Sequence, residues 1–197
     1  MAVLSDDSLR VLFLDGRTHR KWVNRPVDDD LLRRMYELAR LPPTSANSQP
    51  MRLLFAKSPG AKERLKPAVD AGNVEQTMNA PVTVIVAYDA RFFDKMSLLH
   101  LSRPEIAARF AAVPELARDR LAFQNGTLQG AYLMLAARAM GLDCGPMGGF
   151  DRARVDTAFF PDGQWKSNFL LNLGYGDPST LRPRAPRLDF DEACRIE

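Results

Sequence analysis

The sequence contains few of the residues that build disulfide frameworks and metal sites. Its 197 residues include two cysteines, Cys144 and Cys194, and two histidines, His19 and His100. Two cysteines cannot form a disulfide framework or a four-cysteine zinc site, and the histidines do not have metal-ligand spacing. We therefore predict no bound metal.

Long apolar runs and an export signal are also missing. Apolar runs such as residues 82–88 fall far short of the ~20 residues that a membrane-spanning helix requires. The N-terminal sequence MAVLSDD is acidic where a signal peptide would be basic and then apolar. We therefore expect a cytoplasmic protein that does not bind membranes.

Positive charge is not in large excess, since 27 Lys and Arg residues oppose 24 Asp and Glu residues. A nucleic-acid surface would need a basic stripe with interleaved aromatic residues, and none is present, so no nucleic-acid partner is expected. The basic residues form two small groups far apart in the sequence: Arg17, Arg20 and Lys21, and Arg182, Arg184 and Arg187. These groups suit a small anionic ligand held between them, although chance surface arginines are the alternative.

The composition, 46% hydrophobic and 26% charged, is typical of one folded globular domain. Apolar periodicity predicts helices over residues 6–14, 28–39, 60–69 and 114–140, and a short helix after Asp151. Strands are predicted over residues 51–56, 81–88 and 168–175. This order lacks the regular strand–helix alternation of a doubly wound fold, so we predict an α+β fold with a small mixed or antiparallel sheet flanked by helices.

Three stretches interrupt these elements. Gly72-Asn73 is predicted to break the chain, and residues 144–150, rich in glycine, are predicted to form a flexible loop. Residues 90–113 are polar and mixed and have the character of an insertion or lid.

The common cofactor and nucleophile motifs are absent, including G-x-G-x-x-G, the phosphate-binding P-loop and G-x-S-x-G. His19 and Cys144 are residue types that can act as base and nucleophile, but no local pattern supports that pairing. Polar residues are instead distributed over loops at residues 17–20 and 44–50, at Asn73 and at Arg187. Arginines suit a phosphate and amides suit the edge of a heterocycle, so together these loops favour a phosphorylated heteroaromatic cofactor. A capped turn is the alternative for residues 44–50 alone.

Five segments resemble motifs of the FMN-dependent nitroreductase family. They are RTHRKW at residues 17–22, PTSANSQP at 43–50, GN at 72–73, LDCGPMGGFD at 142–151 and LGYG at 173–176. The resemblance extends from about residue 9 to residue 187. The wording is most similar to the short branch that contains the malonic semialdehyde reductase of the Rut uracil-degradation pathway.

The resemblance implies a single nitroreductase-like domain over residues 1–197 that forms an intertwined homodimer with FMN in the interface. The long helix predicted at residues 114–140 is apolar around much of its circumference, which agrees with a dimer; a role as the domain's own core is the alternative.

The same resemblance assigns the cofactor site. Arg17, Thr18, Arg20 and Arg187 are expected at the phosphate and the pyrimidine side of the ring, although Gly16 stands where the family usually has a further arginine. Around the ring system the resemblance places six further residues: Ser45, Asn47, Asn73, Pro146, Gly148 and Gly149. Ser45 and Asn47 would come partly from the second subunit, and the Gly149 N–H would lie near flavin N5.

The implied activity is ping-pong hydride transfer from NAD(P)H through FMN N5, with no catalytic side chain. The branch implies malonic semialdehyde as substrate and 3-hydroxypropionate as product, in pyrimidine degradation. Arg103 and Arg109, within residues 90–113, are candidates for binding the substrate carboxylate. The alternatives are a broad nitroarene or quinone reductase and, more distantly, an FMN-binding protein without turnover.

Overall fold

The protein is described by a computed structural model over residues 3–197, so residues 1 and 2 of the predicted domain lie outside the described part. The sheet is formed by four strands: β1 (Met51–Ala56), β2 (Val82–Asp89), β3 (Asp143–Met147) and β4 (Trp165–Gly174). The α-helices are α1 (Asp6–Leu9), α2 (Asp29–Ala39), α3 (Pro59–Leu65), α4 (Ala71–Asn79), α5 (Met96–Leu99), α6 (Glu105–Ala111), α7 (Glu115–Ala139), α8 (Arg152–Phe159) and α9 (Phe190–Ala193). A π-helical turn at Arg10–Leu14 continues α1.

The strands form one sheet in the order β1-β2-β4-β3, and every pairing is antiparallel. All eight residues of β2 are buried, because this strand is central and both of its faces are covered by helices. The predicted α+β fold with a small sheet is therefore confirmed, and the sheet is antiparallel.

Helices cover the two faces of the sheet. On one face α2 and α7 pack through Met35, Leu133 and Ala137 against Val84 and Leu171. On the other face, α3, α4 and α8 pack on the sheet through a second buried cluster, which includes Leu65, Val155, Ile85 and Leu170.

Residues 90–113, called here the variable segment, have a core of their own. Helices α5 and α6 lie in this segment, and Met96 and Ile106 are buried with Phe92 against Tyr88 and Ala122. The segment is thus a small helical layer anchored on the end of β2 and on α7.

The predicted chain break at Gly72-Asn73 is wrong, because both residues lie in the first turn of α4. An extended residue, Asp70, precedes the helix, and the Asn73 N–H donates to the Asp70 carbonyl at 2.8 Å. Glycine and asparagine are tolerated where a helix begins, since the first N–H groups have no partner within the helix.

The predicted flexible loop at residues 144–150 is also wrong over most of its length. Asp143–Met147 forms β3, which pairs with β4, and only the last residues form a loop. A Cβ on Gly145 would lie 2.6 Å from the His19 carbonyl oxygen, so this glycine permits two backbones to approach. Glycine here reports close packing and not flexibility.

Candidate functional site

The two basic groups of the sequence meet at one cavity of about 710 Å³, called here the cationic cavity. Residues 16–21 form one wall, and residues 180–187 form the opposite wall. Seven cationic side chains line it: Arg17, Arg20, Lys21, Arg138, Arg182, Arg184 and Arg187. No carboxylate of residues 3–197 lines the cavity, so its charge complements an anion.

Hydrogen bonds from arginine side chains to backbone carbonyls hold the walls of the cationic cavity together. Arg17 donates to the carbonyl of Arg182, and Arg184 donates to the carbonyls of Leu14 and Gly16 at 2.6 and 3.0 Å. Behind this wall, Thr18 forms a β-bridge to Cys144 of β3. The basic segment is therefore fixed between the C-terminal tail and the sheet.

Side chains on α4 continue the site beyond the cationic cavity. Lys21, which lines the cavity, forms an ion pair with Glu75 of α4. In the first turn of the same helix, Asn73 donates to the Gly149 carbonyl at 3.1 Å and accepts from Gln76 at 2.6 Å. Trp22, which follows Lys21, donates to the Gln76 carbonyl at 3.2 Å. The basic segment, α4 and the loop after β3 thus form one connected unit.

A buried lysine lies at the inner end of this unit. Lys62 is 4% exposed and donates to the Thr77 carbonyl at 2.7 Å and to the Thr83 hydroxyl. The Thr83 hydroxyl also bonds the Asn172 Oδ1 at 2.6 Å, and the Asn172 amide donates to the Gln76 carbonyl at 3.2 Å. Burial lowers the pKa of Lys62 to about 7, because the low-polarity surroundings disfavour the charged form.

We call this set the amide network; its members are Lys62, Asn73, Gln76, Thr77, Thr83 and Asn172. It reaches from the middle of the sheet to Gly149.

The loop after β3 leaves room for a flat molecule. Nothing lies within 4 Å of a Cβ added to Gly148, so the backbone there is open on that side. A Cβ on Gly149 would instead lie 2.4 Å from the Asn73 amide nitrogen and 2.9 Å from Asp70 Oδ2. Pro146 has no backbone N–H, and this is tolerated because β3 is an edge strand of the sheet. This arrangement fits a planar ring beside the amide network, with an anionic group in the cationic cavity.

Ser45 and Asn47 lie apart from the cationic cavity, in a turn next to the variable segment. The Asn125 side chain accepts from the Ser45 N–H at 2.7 Å, and the Asn47 amide donates to the Leu99 carbonyl at 3.1 Å. Three residues without the freedom of glycine have positive φ here: Ala46 at 50°, Asn47 at 50° and Gln49 at 41°. Such backbone conformations concentrate at functional sites.

Arg103 and Arg109 come together at a smaller cavity of about 340 Å³, which Ala46 also lines. The other lining residues are Ile106, Phe110 and Val113. Arg103 donates to Glu105 at 3.2 Å. Both arginines are exposed. The variable segment and the turn at residues 44–50 therefore share one pocket, called here the arginine pocket.

The structure excludes the His19–Cys144 nucleophile. Cys144 is 1% exposed, and burial raises the pKa of its thiol to about 12, so the reactive thiolate does not form near neutral pH. His19 meets Cys144 through the backbone, where its N–H donates to the Cys144 carbonyl at 2.9 Å. Within residues 3–197, no group of three or more His, Cys, Asp and Glu side chains could hold a metal ion. Of the helices in this part of the chain, none combines the length and apolar character needed to cross a membrane.

Several side chains of the site were not predicted from the sequence as site residues, among them Lys62, Gln76 and Arg138. Lys62 precedes Leu65 on the same face of α3, and only its burial shows that it belongs to the interior. Arg138 lies in the last turn of α7, where a cation is ordinarily explained by the helix dipole.

Together, the fold and the site define an α+β protein whose cationic cavity and adjoining amides suit a phosphate-bearing planar ligand. The model of the nitroreductase family matches residues 16–175, and the chain belongs to that family. It is 52% identical over 197 residues to a Ralstonia nicotianae protein provisionally named NADH dehydrogenase/NAD(P)H nitroreductase, covering 100% of both chains. A Burkholderia lata protein with the same provisional name is 55% identical over 199 residues, again covering 100% of both chains.

A solved structure also shares the fold. It is described as a nitroreductase of Exiguobacterium sibiricum in complex with FMN, and it matches with a TM-score of 0.88 at 22% identity, covering 100% of both chains. At this identity the likeness concerns the fold.

Proposed function

We propose that the protein is an FMN-dependent NAD(P)H oxidoreductase. The observation that carries the proposal is the cationic cavity, which is lined by seven cationic side chains and by no carboxylate of the described chain. The amides of Asn73 and Gln76 lie outside its lining, on the neighbouring helix α4. Membership of the nitroreductase family and the names of the two relatives support it. When bound, FMN supplies hydride transfer at N5, from NAD(P)H to an oxidant in ping-pong order.

The side chains divide between the two ends of this cofactor. Arg17, Thr18, Arg20 and Arg187 bind the phosphate end in the cationic cavity. Asn73, Pro146, Gly148 and Gly149 would hold the ring, and Asn73 orients the loop through its bond to the Gly149 carbonyl. No side chain transfers a covalent group, so the protein's part is to bind, orient and exclude water.

Two observations support a homodimer in which Ser45 and Asn47 complete the partner's site. Both residues lie away from the cationic cavity of their own chain. Leu128 and Tyr132 of α7 are 44% and 41% exposed, which leaves apolar surface for a second subunit. Light scattering during gel filtration should give twice the chain mass, and a monomer would remove this part of the proposal.

The two free thiols suit the reducing cytoplasm.

The substrate proposed is malonic semialdehyde, reduced to 3-hydroxypropionate in pyrimidine degradation. The arginine pocket supports it, because Arg103 and Arg109 offer cations to a small carboxylate. The alternative is a neutral nitroarene or quinone, which the apolar residues Ile106, Phe110 and Val113 of the same pocket would favour. Measured kcat/KM values decide: a nitroarene preferred over malonic semialdehyde by orders of magnitude would establish the alternative.

Anaerobic mixing with NADPH or NADH tests the central proposal. We expect yellow protein that releases FMN on denaturation and whose visible flavin absorption is bleached by the nicotinamide. Protein that holds FMN without bleaching would be a flavin-binding module without turnover. Colourless protein that takes up no added FMN would contradict the proposal altogether.

A further inference from the structure

Gly16 and Arg138 share one volume beside the cationic cavity. A Cβ added to Gly16 would lie 2.6 Å from Cζ of Arg138, 2.7 Å from its Nη1 and 2.9 Å from its Nε. The φ of Gly16 is not in the left-handed region, so its backbone does not demand glycine. The absence of a side chain at residue 16 is explained by the guanidinium that occupies the place where one would project.

The guanidinium of Arg138 is held in position but uses little of its hydrogen-bonding capacity. Its Nη1 donates to the Leu12 carbonyl at 3.0 Å. Its Nε is buried and has no hydrogen-bond partner anywhere in residues 3–197. No carboxylate of that part of the chain forms an ion pair with it. An arginine has five N–H donors, and leaving a buried one unpaired is unfavourable.

Arg138 also differs from most other cations of the cationic cavity in how it is supported. Arg17, Arg184 and Arg187 donate to backbone carbonyls of the cavity walls, and Lys21 pairs with Glu75. These cations are carried by loops and the extended tail. Arg138 projects from a 25-residue helix that is packed on the sheet, so its position is set before any ligand arrives.

We propose that Arg138 binds the phosphate group of the ligand in the cationic cavity, and that Gly16 leaves open the space in which this guanidinium lies. The inference rests on the proposed function, since it takes the phosphate to be that of FMN. A purely structural role, in which Arg138 only attaches the N-terminal helical turn through Leu12, is the competing explanation.

The two explanations differ in their dependence on the phosphate. Dissociation constants of FMN and of riboflavin, which lacks the phosphate, are to be measured by flavin fluorescence for the wild type and for Arg138→Met. We expect FMN to bind about tenfold or more weakly to the variant, because a charge-assisted bond is lost, while riboflavin affinity stays within about twofold. An equal loss for both flavins, or no loss for either, would overturn the phosphate role.

Arg64→Met is the matched control. Arg64 also donates to one backbone carbonyl, that of Ala158, but lies outside the cationic cavity. The Arg64→Met substitution removes the same charge as Arg138→Met and should leave the dissociation constants of FMN and riboflavin unchanged. Should Arg138→Met not fold, Arg138→Lys serves instead: the charge remains but the planar donor fork is lost, so FMN affinity should fall by a few-fold and riboflavin affinity should not.

An exchange of the two residues gives the sharpest test. Gly16→Arg alone should weaken FMN binding, because the new side chain collides with Arg138. In the double variant Gly16→Arg/Arg138→Ala, the guanidinium projects from residue 16 into the space that Arg138 occupied. The bond from Arg138 to the Leu12 carbonyl is not restored. FMN affinity above that of Arg138→Ala alone supports the proposal, and affinity no better than that variant contradicts it. Wild-type protein that binds neither flavin would instead refute the proposed function.

Discussion

The cationic cavity and the amide network both contain cationic side chains, but the surroundings of these side chains differ. In the cationic cavity, seven arginine and lysine side chains line one space, and no carboxylate of residues 3–197 lines it with them. In the amide network, a single lysine is enclosed by hydroxyl, carbonyl and amide groups, and burial lowers its pKa to about 7.

The contrast shows how one site can recognise two unlike ends of a ligand. Binding a phosphate needs formal charge and charge-assisted hydrogen bonds, which the arginine side chains of the cationic cavity can supply. Orienting an uncharged ring edge needs hydrogen-bond donors and acceptors that point in fixed directions. Buried amides provide them, because hydrogen bonds within the protein fix the orientation of each amide. Four variants test this division, from the largest expected effect to the smallest.

Lys62→Met should have the largest effect, and the effect should depend on pH. The unfolded chain keeps its proton on Lys62 up to a pKa of about 10.5, whereas the folded protein releases it at about 7. Between these values the unfolded state binds more protons, so the lysine's contribution to stability rises with pH. The free energy of unfolding of wild type minus variant should increase by about 1.4 kcal/mol per pH unit over this range.

Urea titrations at about pH 7 and pH 9 measure this slope. Lys66→Met is the control, because Lys66 is exposed and pairs with Glu63, so its difference from wild type should not vary with pH. A flat difference for Lys62→Met would mean that Lys62 is solvated in solution.

Gly149→Ala should be next in size, since it acts where the amide network meets the loop after β3. The new Cβ would lie 2.4 Å from the Asn73 amide nitrogen, so Asn73 must move and its bond to the Gly149 carbonyl breaks. We expect a loss of about 1–3 kcal/mol in the free energy of unfolding and weaker FMN retention. Gly148→Ala, with no atom within 4 Å of its new Cβ, is the control for stability. Equal stability of the two alanine variants would argue against the close packing at Gly149.

Arg17→Ala tests the charged end alone. The substitution removes a guanidinium that lines the cationic cavity, so FMN affinity should fall by about 1.5–3 kcal/mol for each charge-assisted bond lost. The free energy of unfolding should change less, because Arg17 makes one bond to the carbonyl of Arg182. Equilibrium dialysis with FMN measures the effect, and Arg40→Ala, which follows helix α2 and lies outside the lining of the cationic cavity, supplies the comparison. An unchanged FMN dissociation constant would reject the role of Arg17.

Cys144→Ala should have the smallest effect on activity. Cys144 lies between the two regions, paired with Thr18 on one side and with β4 on the other, and its thiol is buried and protonated. Turnover with NADPH should be retained, with a loss of stability of about 1 kcal/mol from the small cavity created. Loss of turnover in a variant that is folded and loaded with flavin would reopen a chemical role for the thiol.

Most of the fold could be predicted because its main elements have a distinctive composition and length. Val82–Asp89 is dense in β-branched residues and is the central strand, and the long helical pattern is α7. The two basic groups were expected to face one ligand, and they do line one cavity. The resemblance to the nitroreductase family is confirmed by the match over residues 16–175.

The sequence did not reveal the close packing at Gly145 and at Gly16, and the physical reason is the same at both positions. Glycine in a sequence signals either a turn or a close approach, and only the neighbouring segment decides between them. At Gly145 the neighbour is the backbone of His19, and at Gly16 it is the guanidinium of Arg138, which is 122 positions away in the sequence. Lys62 was missed for the same reason, because its partners Thr77 and Thr83 become neighbours only through the fold.

The turn at residues 44–50 has a consequence for protein engineering. Left-handed backbone at Ala46, Asn47 and Gln49 costs on the order of 1 kcal/mol per residue, which the short sequence cannot offset by itself. Asn125 and the carbonyl of Leu99 hold it from outside. A peptide with this sequence, or a graft of it onto a foreign scaffold, would therefore relax to another shape unless α7 and the variable segment were transplanted with it.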